Sequence, residues 1–260
     1  MFVLAQKNRL RLPTLSYRQR NKRPSVLNPR CNALLDRLPE QDYERLLPHL
    51  NLVSLRQDQQ IYLASDRADK VYFPVTALIA FARDLDDGSA IDTACIGAEG
   101  VVGLRGLVGT SLHRVYVASS GLAYLMDLSH LVQAFHASPA IAAMCMQAGS
   151  QILKNTSLEL ACSHFHPIGQ RLAKWVLMRH DRSGSPQIEV THQAIALSLG
   201  TRREAVTHAC QSLPGLRPGR GHLEITDRAS LEKHCCECYF LQKEAHPGQM
   251  DLPFRALVQS

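Results

Sequence analysis

The chain has 260 residues, 45% of them hydrophobic and 6% aromatic, and its formal net charge is +6. This length allows two domains with a sizeable core, and the composition excludes a disordered or fibrous protein. No apolar run approaches membrane-spanning length, and the N-terminal apolar segment is too short for a signal peptide. We therefore expect a globular, cytoplasmic protein that does not contact a membrane.

The basic charge is concentrated at the N-terminus. Residues 1–30 contain eight of the 29 basic residues and no acidic residue, whereas residues 31–260 contain 21 basic and 23 acidic residues. A short basic segment can contact phosphates or anionic lipid, although a solvated extension has the same composition. We favour the solvated extension and predict a basic, disordered tail over residues 1–30.

The eight cysteines are irregularly spaced, and three of them are crowded together towards the C-terminus. They are Cys31, Cys95, Cys145, Cys162, Cys210, Cys235, Cys236 and Cys238. This pattern does not match the disulfide framework of a small secreted domain, so we expect reduced thiols.

Residues 31–136 are predicted to form a β domain preceded by short helices. The segment NALLDRLPEQDYERLLPHL repeats leucine at helical intervals, and short apolar segments follow one another between Val53 and Met126. Turn signals such as Asp86-Asp87-Gly88 separate these segments. Short strands at close spacing are typical of a sandwich or barrel, with a jelly roll among the options.

A long helix is predicted next, over residues 137–163. From Pro139 to Cys162 the apolar period becomes helical, and one narrow stripe repeats every seven residues. The stripe consists of Ile141, Cys145, Ala148 and Ile152. Asn155 continues it as a polar residue that is able to fix the register of a dimer. Packing against a second copy and packing against the chain's own β domain both fit this pattern.

A second domain with a helix-turn-helix is predicted over residues 164–245. Its first helix begins near Pro167, and Thr191 is suited to capping the next one. Ala196 provides the small residue of a close helix crossing, and Gly200 can adopt the positive φ that the turn requires. Thr201 is predicted to cap the helix that follows, and the inward-facing residues are predicted to be Ile195, Leu199, Val206 and Ala209.

Charged residues begin the second helix of this pair. Arg202, Arg203 and Glu204 occupy its first turn, which in a helix-turn-helix points into the major groove of DNA. There arginine can pair with guanine, and glutamate can accept a hydrogen bond from cytosine. A solvated helix start explains Glu204 through the helix dipole but does not explain two arginines. The segment Pro218–Gly221 then predicts a hairpin, the wing of a winged helix-turn-helix.

These motifs together resemble the Crp/Fnr family of bacterial transcription regulators. The resemblance runs from Asn32 to about Tyr239 and is carried by NALLDRLP, VYFPV, CIGAEGVVGL, QRLAKWVLMRHDR, VTHQAIALSLGTRREAV, RGHLEITDR and CECY. It implies an α+β fold with an N-terminal jelly-roll-like β domain, similar to cyclic-nucleotide-binding domains, and a C-terminal winged helix-turn-helix domain. It favours dimerisation for the long helix between them, and it leaves residues 246–260 as a C-terminal tail.

The resemblance also assigns DNA contacts residue by residue. The residues expected at base edges are Arg203, Glu204 and His208, and those expected at phosphates are Thr191, His192 and Arg202. His208 stands where the family pattern has an arginine, and Pro214 is expected to end the recognition helix early. The connection to the wing is shorter than in the family.

An effector pocket in the β domain is implied by the same resemblance. Its residues would be Gly97, Glu99, Gly100 and Arg114. Family members that bind cyclic nucleotides hold the phosphate with a Gly-Glu pair and a later arginine. Here Ala98 interrupts the pair and Leu112 stands about where the arginine is expected, so we expect that cyclic AMP does not bind. Only Cys31 stands near the N-terminus, so an iron–sulfur cluster is not supported, and the effector stays unknown.

The crowded cysteines are interpreted as part of a last helix capped by Asp227. On one helix Cys235 and Cys236 lie about 100° apart and cannot easily face one metal. Zinc usually takes two separated pairs of ligands, and no second pair is evident, so we predict no metal site. The segment from His164 to His166 is interpreted as a hinge. No catalytic arrangement is evident, and we do not expect an enzyme.

The sequence therefore predicts a DNA-binding transcription regulator that acts as a homodimer on palindromic sites, with RNA polymerase as a candidate further partner. The alternative is a ligand-sensing or protein-interaction module with weakened DNA binding. Arg202 and Arg203, together with Ala196, Gly200 and Val206 in their expected places, favour the regulator.

Overall fold

The computed structural model describes residues 28–107, 109 and 113–244. Most of the predicted basic tail, all of the predicted C-terminal tail and Leu112 lie outside the described residues. The described part has an N-terminal β domain, a long helix and a C-terminal helical domain with a small sheet, so the predicted α+β fold is confirmed. No helix in this part combines the length and the apolar character needed to cross a membrane.

Short helices lead into the β domain. A 3-10 turn over Pro29–Cys31 precedes α1 (Ala33–Asp36) and α2 (Glu40–Leu46), and a second 3-10 turn follows over Leu47–His49. Leu46 is fully buried, because the leucines of this segment recur on the side of the helices that faces the core.

The buried side chain of Asn32 joins this start of the chain to the β domain. Its Oδ1 accepts hydrogen bonds from the backbone N–H groups of Leu34 and Leu35 and so caps α1. Its amide donates to the carbonyl oxygens of Pro74 and Gly100, each at 2.9 Å. One side chain therefore satisfies backbone groups from separate parts of the fold.

The strands of the β domain form two sheets. They are β1 (Asn51–Leu55), β2 (Gln60–Tyr62), β3 (Lys70–Pro74), β4 (Leu78–Asp84), β5 (Ala90–Ile96), β6 (Arg114–Ser119) and β7 (Gly121–Asp127). The strand order is β1-β7-β3 in one sheet and β2-β6-β4-β5 in the other, and the pairs are antiparallel. Neighbouring strands come from distant parts of the sequence, as in a jelly roll, so the predicted jelly-roll-like domain is confirmed.

Two apolar clusters form the core of this domain. One contains Leu35, Phe73 and Met126 and includes residues from the helices that precede and follow the strands in the sequence. The other contains Ile79 and Val117 and draws residues from both sheets. Because side chains alternate between the two faces of a strand, each sheet contributes one apolar face to these clusters.

A short helix and a long helix follow the β domain. They are α3 (Leu128–Ala137) and α4 (Pro139–Phe165). The hydroxyl of Ser138 accepts a hydrogen bond from the N–H of Ile141 and caps α4, while Pro139 takes the first helical position, where its missing N–H costs nothing. The long helix predicted from the change of apolar period therefore begins at a defined cap.

The apolar stripe predicted on α4 faces the chain's own β domain. Ile141, Cys145 and Ala148 are buried in the same cluster as Phe73, and Ile152 packs against the other cluster. Of the two alternatives that the sequence left open for this stripe, the structure shows packing within the chain. Its side chains are therefore not available to a second copy.

Helices surround a small sheet in the C-terminal domain. The elements are α5 (Ile168–Ser183), β8 (Gln187–Glu189), α6 (His192–Leu199), α7 (Arg203–Ser212), β9 (Leu216–Gly219), β10 (His222–Ile225), α8 (Arg228–His234) and α9 (Cys238–Glu244). The sheet has the order β8-β10-β9. Its core includes Leu172, Ile195, Val206 and Leu223, none of which is exposed.

Two local predictions for this domain are wrong. Thr201 does not cap α7, because Arg202 is the N-cap residue and no side chain makes a capping hydrogen bond there. The last helix is also interrupted: Asp227 caps α8 as predicted, but α8 ends at His234 and α9 begins only at Cys238. Cys235 and Cys236 therefore lie between two helices, and the separation of about 100° expected on one helix does not apply to them.

Replacement of Asn32 by alanine should destabilise the protein by about 2–3 kcal/mol, because it removes a helix cap and leaves two buried carbonyl groups unpaired. The control is Asn51→Ala, since Asn51 is exposed and donates only to His49; its cost should stay within about 0.5 kcal/mol. Urea denaturation of both variants measures the difference. Equal costs would contradict the role of Asn32.

Candidate nucleic-acid interface

The helices α6 and α7 meet at the turn predicted around Gly200. Gly200 has a φ of +58°, and the N–H of Thr201 donates to the carbonyl oxygen of Ala196 at 2.9 Å. A Cβ at position 200 would lie 2.9 Å from Cδ1 of Ile91 on β5. The turn therefore requires glycine both for its left-handed conformation and for space against the β domain.

The inner face of the helix pair is buried as predicted. Ala196 and Leu199 of α6 meet Val206 and Ala209 of α7 in the core of the C-terminal domain. Thr191 caps α6 as predicted, since its hydroxyl accepts from the N–H of Ala194 at 3.1 Å. This packing turns the opposite face of α7 outward.

The outer face of α7 presents the residues predicted to contact bases. Arg203 and Glu204 lie in its first turn and His208 lies one turn beyond Glu204; all three are exposed, as is the neighbouring Arg202. Among the described residues, none of these four side chains is held by an ion pair. The structure thus brings the predicted base-contacting residues together on one accessible surface.

His192, one of the residues predicted to contact phosphates, is oriented by α7. Its Nδ1 lies 3.0 Å from the hydroxyl of Thr207, which itself donates to the carbonyl oxygen of Arg203. A hydroxyl has only one hydrogen, and Thr207 donates it to Arg203, so the hydroxyl accepts a hydrogen bond from Nδ1–H of His192. In the neutral ring Nε2 of His192 therefore carries no hydrogen. Thr191 and Arg202 lie exposed at the starts of α6 and α7.

The predicted wing is a hairpin of β9 and β10. Gly219 pairs with His222 at its end, and Arg217 forms an exposed ion pair with Glu224 at 3.2 Å. Arg220 lies exposed between the two strands. The sequence analysis predicted the hairpin without naming a contact residue on it, although the arginine between two glycines is a signal for one.

The two charged residues of the predicted effector pocket, Glu99 and Arg114, belong to separate ion pairs. Glu99 is buried and accepts from Nε and Nη2 of Arg182 at 3.0 and 2.7 Å, while the N–H of Gly97 donates to the same carboxylate at 3.1 Å. Arg182 lies on α5 of the C-terminal domain. The sequence analysis missed Arg182, because nothing in the local pattern links it to a residue so far away.

Arg114 is engaged elsewhere. Its guanidinium binds both carboxylate oxygens of Asp84 at 2.8 and 2.9 Å and lies over the ring of Tyr116. The hydrogen bond from Arg114 lowers the pKa of Asp84. Gly100 stays beside Gly97 in the turn after β5, with its N–H donating to the Gly97 carbonyl at 3.1 Å.

A buried polar network joins β5 to the helix-turn-helix. Trp175 donates its indole N–H to the hydroxyl of Ser198 at 2.8 Å, and Ser198 donates to the carboxylate of Asp92. The hydroxyl of Tyr116 donates to the same carboxylate at 3.0 Å. Burial raises the pKa of Asp92, and these hydrogen bonds counter that effect.

The described chain combines a jelly-roll-like β domain, a long helix and a winged helix-turn-helix with an exposed basic turn. This combination defines a class of DNA-binding regulators. Residues 170–234 match the family model described as the Crp-like helix-turn-helix domain. The global nitrogen regulator of Nostoc sp. is 24% identical to the chain over 165 residues, which cover 59% of this chain and 74% of that protein.

Solved structures of the same fold include a Crp/Fnr family regulator from Eubacterium rectale, with a TM-score of 0.63 at 14% identity over 79% of this chain and 98% of that one. FixK2 from Bradyrhizobium japonicum has a TM-score of 0.61 at 20% identity, over 72% of this chain and 98% of its own. The predicted resemblance is confirmed: residues 170–234 match a Crp-like helix-turn-helix domain, and the described fold is similar to that of solved Crp/Fnr family regulators.

Removal of Arg182 should be far more costly than removal of Arg114. Arg182→Ala leaves Glu99 buried without its counter-charge, which costs about 3–5 kcal/mol, whereas the partly exposed Arg114–Asp84 pair contributes at most about 1 kcal/mol. Adding Glu99→Gln to Arg182→Ala should recover part of the loss. Denaturation followed by the fluorescence of Trp175, the only tryptophan, measures all three variants. Similar costs for both arginines would contradict the assignment of the buried pair.

Proposed function

We propose that the protein binds palindromic DNA as a homodimer and regulates transcription in the cytoplasm. The observation that carries the proposal is the exposed and unpaired first turn of α7, on a helix pair whose inner face is buried. A charged helix start with no ion-pair partner among the described residues is suited to a partner that is itself charged. DNA supplies both the phosphates and the base edges that these side chains recognise.

Arg203, Glu204 and His208 are the residues that we assign to base edges. The guanidinium of Arg203 is able to make two hydrogen bonds to a guanine, and the carboxylate of Glu204 is able to accept from a cytosine. His208 follows Glu204 by four residues on the same face of α7, so it reaches a neighbouring base pair.

Thr191, His192 and Arg202 are assigned to phosphates. Thr191 and His192 lie at the start of α6 and Arg202 at the start of α7, where backbone N–H groups and the helix dipole favour an anion. Arg220 at the end of the wing adds a cation on the same domain.

The dimer is assigned to a second stripe on α4. Met146, Leu153 and Leu160 recur every seven residues and are 70%, 67% and 71% exposed. Gly149 lies between the first two on the same side of the helix, and a Cβ there would meet nothing within 4 Å. A seven-residue apolar repeat with a small residue in it supports a close helix–helix contact between two copies.

The effector pocket is assigned as one that does not take cyclic AMP. Arg182 from the C-terminal domain neutralises Glu99, and Asp84 neutralises Arg114. A cyclic nucleotide phosphate would need an arginine without a carboxylate partner in this place. The identity of an effector is not part of the proposal.

The two arginines at the start of α7 should respond differently to replacement by alanine. Arg203→Ala should cost about 1–3 kcal/mol of binding and relax the preference at one base pair in each half-site. Arg202→Ala should weaken binding to all sequences alike and reduce the salt dependence by about one unit of slope. Cyclic AMP should leave both affinities unchanged.

Binding-site selection on the full chain, followed by titrations at two salt concentrations, measures these effects. Arg67→Ala is the matched control, because Arg67 is an exposed arginine of the β domain and not of the helix-turn-helix. The selected half-sites should lie about 34 Å apart, on one face of the duplex. A selection that enriches no palindrome would favour the protein-interaction module over the regulator.

The exposed stripe on α4 predicts the oligomeric state. Leu153→Glu should weaken the dimer by at least about 100-fold, because it removes two buried leucines and places two carboxylates opposite each other. Leu63→Glu is the control, since Leu63 is an exposed leucine of the β domain. Analytical ultracentrifugation at micromolar concentration measures both. A monomeric wild-type protein, or a Leu153→Glu variant that remains dimeric, would overturn the assignment.

A further inference from the structure

A group of four metal-ligating side chains lies where α4 meets the end of the C-terminal domain. Cys162 lies in the last turns of α4 and His166 is the residue just after it, while Cys236 lies between α8 and α9 and Cys238 begins α9. Their ligand atoms all lie within 4.8 Å of one another. No part of the proposed DNA-binding surface or effector pocket uses these four residues.

Two distances within the group are close to those around one tetrahedral zinc ion. The Sγ atoms of Cys162 and Cys236 are 3.5 Å apart, and Sγ of Cys238 is 3.6 Å from Nδ1 of His166. With Zn–S of about 2.3 Å and Zn–N of about 2.0 Å, a tetrahedron places two sulfurs about 3.8 Å apart and sulfur and nitrogen about 3.5 Å apart. The side chains therefore need only small movements to surround an ion.

The surroundings of His166 are those of a zinc-bound imidazole. Its Nε2 lies 3.2 Å from a carboxylate oxygen of Glu237, while its Nδ1 points at Cys238. Zinc-bound histidine almost always donates its other ring N–H to a carboxylate, a carbonyl group or water, which fixes the ring and the tautomer. Glu237 lies between the two cysteines in sequence and supplies this partner.

Burial and charge also suit a closed metal site. Cys162, Cys236 and Cys238 are at most 3% exposed, and only Leu158 packs beside them as an apolar neighbour within the described chain. The buried ammonium of Lys174 interacts electrostatically with all three thiols. Three thiolates and one Zn²⁺ have a net charge of −1, and the ammonium of Lys174, which also pairs with Glu159 at 2.6 Å, lies close to that charge.

We propose that Cys162, His166, Cys236 and Cys238 bind one Zn²⁺ ion that fastens the end of α4 to the C-terminal domain. On binding, the three thiols release their protons to solvent and His166 binds as the neutral imidazole. Four protein ligands leave no open position, so the ion is structural. The proposal goes beyond the DNA-binding function and does not depend on it.

The consequence of such a site is a fixed orientation between the two halves of the protein. Cys162 lies on the helix that carries the proposed dimer stripe and His166 caps the end of that helix, whereas Cys236 and Cys238 belong to the domain that carries α7. The chain passes from α4 to α5 through His166 and Pro167 alone. Metal binding adds a second connection beside this single covalent one.

Metal content and the spectrum of bound Co²⁺ test the proposal on the full chain, purified under reducing conditions and reconstituted with each metal. The wild-type protein should retain one Zn²⁺ per chain and should give the intense visible bands of tetrahedral Co²⁺ with thiolate charge transfer. Cys236→Ser should lose both signals. Cys235→Ser, which changes the adjacent thiol outside the group, should keep them.

A Glu237→Gln variant protects the test if Cys236→Ser fails to fold. It should retain all four ligands and bind Zn²⁺ about 10-fold more weakly in competition with a chelator. A wild-type protein without tetrahedral Co²⁺ bands, an equal loss in Cys235→Ser, or bound iron with sulfide in the anaerobic protein would overturn the proposal. A Cys162–Cys236 disulfide that forms in metal-free protein despite purification under reducing conditions would also overturn the proposal.

Discussion

One long helix, α4, contacts both domains of the chain and leaves a further apolar side exposed. Its first turns bury Ile141 and Ala148 in the β domain, and a different side exposes Leu153 and Leu160. Its end presents Cys162 towards the C-terminal domain. Because a helix is stiff along its axis, α4 defines the position of the β domain relative to the C-terminal domain. The architecture of the whole chain depends on this helix.

Buried polar contacts between the two domains add a second constraint. The pair of Glu99 and Arg182 and the contact of Ser198 with Asp92 both connect the β domain to the C-terminal domain. A buried ion pair contributes little net stability, but separating its members leaves a charge without compensation. These contacts therefore favour one arrangement of the domains over others. Glu99, a residue of the predicted effector pocket, takes part in this contact between the domains.

The proposed DNA-reading surface is adjacent to this domain contact. Gly200, in the turn before α7, packs against Ile91 of the β domain, while Arg203, the first residue of α7, is exposed. The side chains that we assign to base edges are thus placed by a turn that the β domain supports. Any ligand that alters the packing around β5 would act on the start of α7 through a short path of direct contacts.

The sequence by itself determined the features that depend on neighbouring residues: the cap at Thr191, the turn at Gly200 and the period of the long helix. The prediction of a Thr201 cap for α7 and of one helix in place of α8 and α9 was wrong, because helix ends depend on competing local interactions. Only the tertiary structure decided which face of α4 is buried, that Arg182 meets Glu99, and that Cys162 lies beside the late cysteines. These partners are distant in sequence, and their contacts arise only when the domains pack, so no local periodicity or spacing records them.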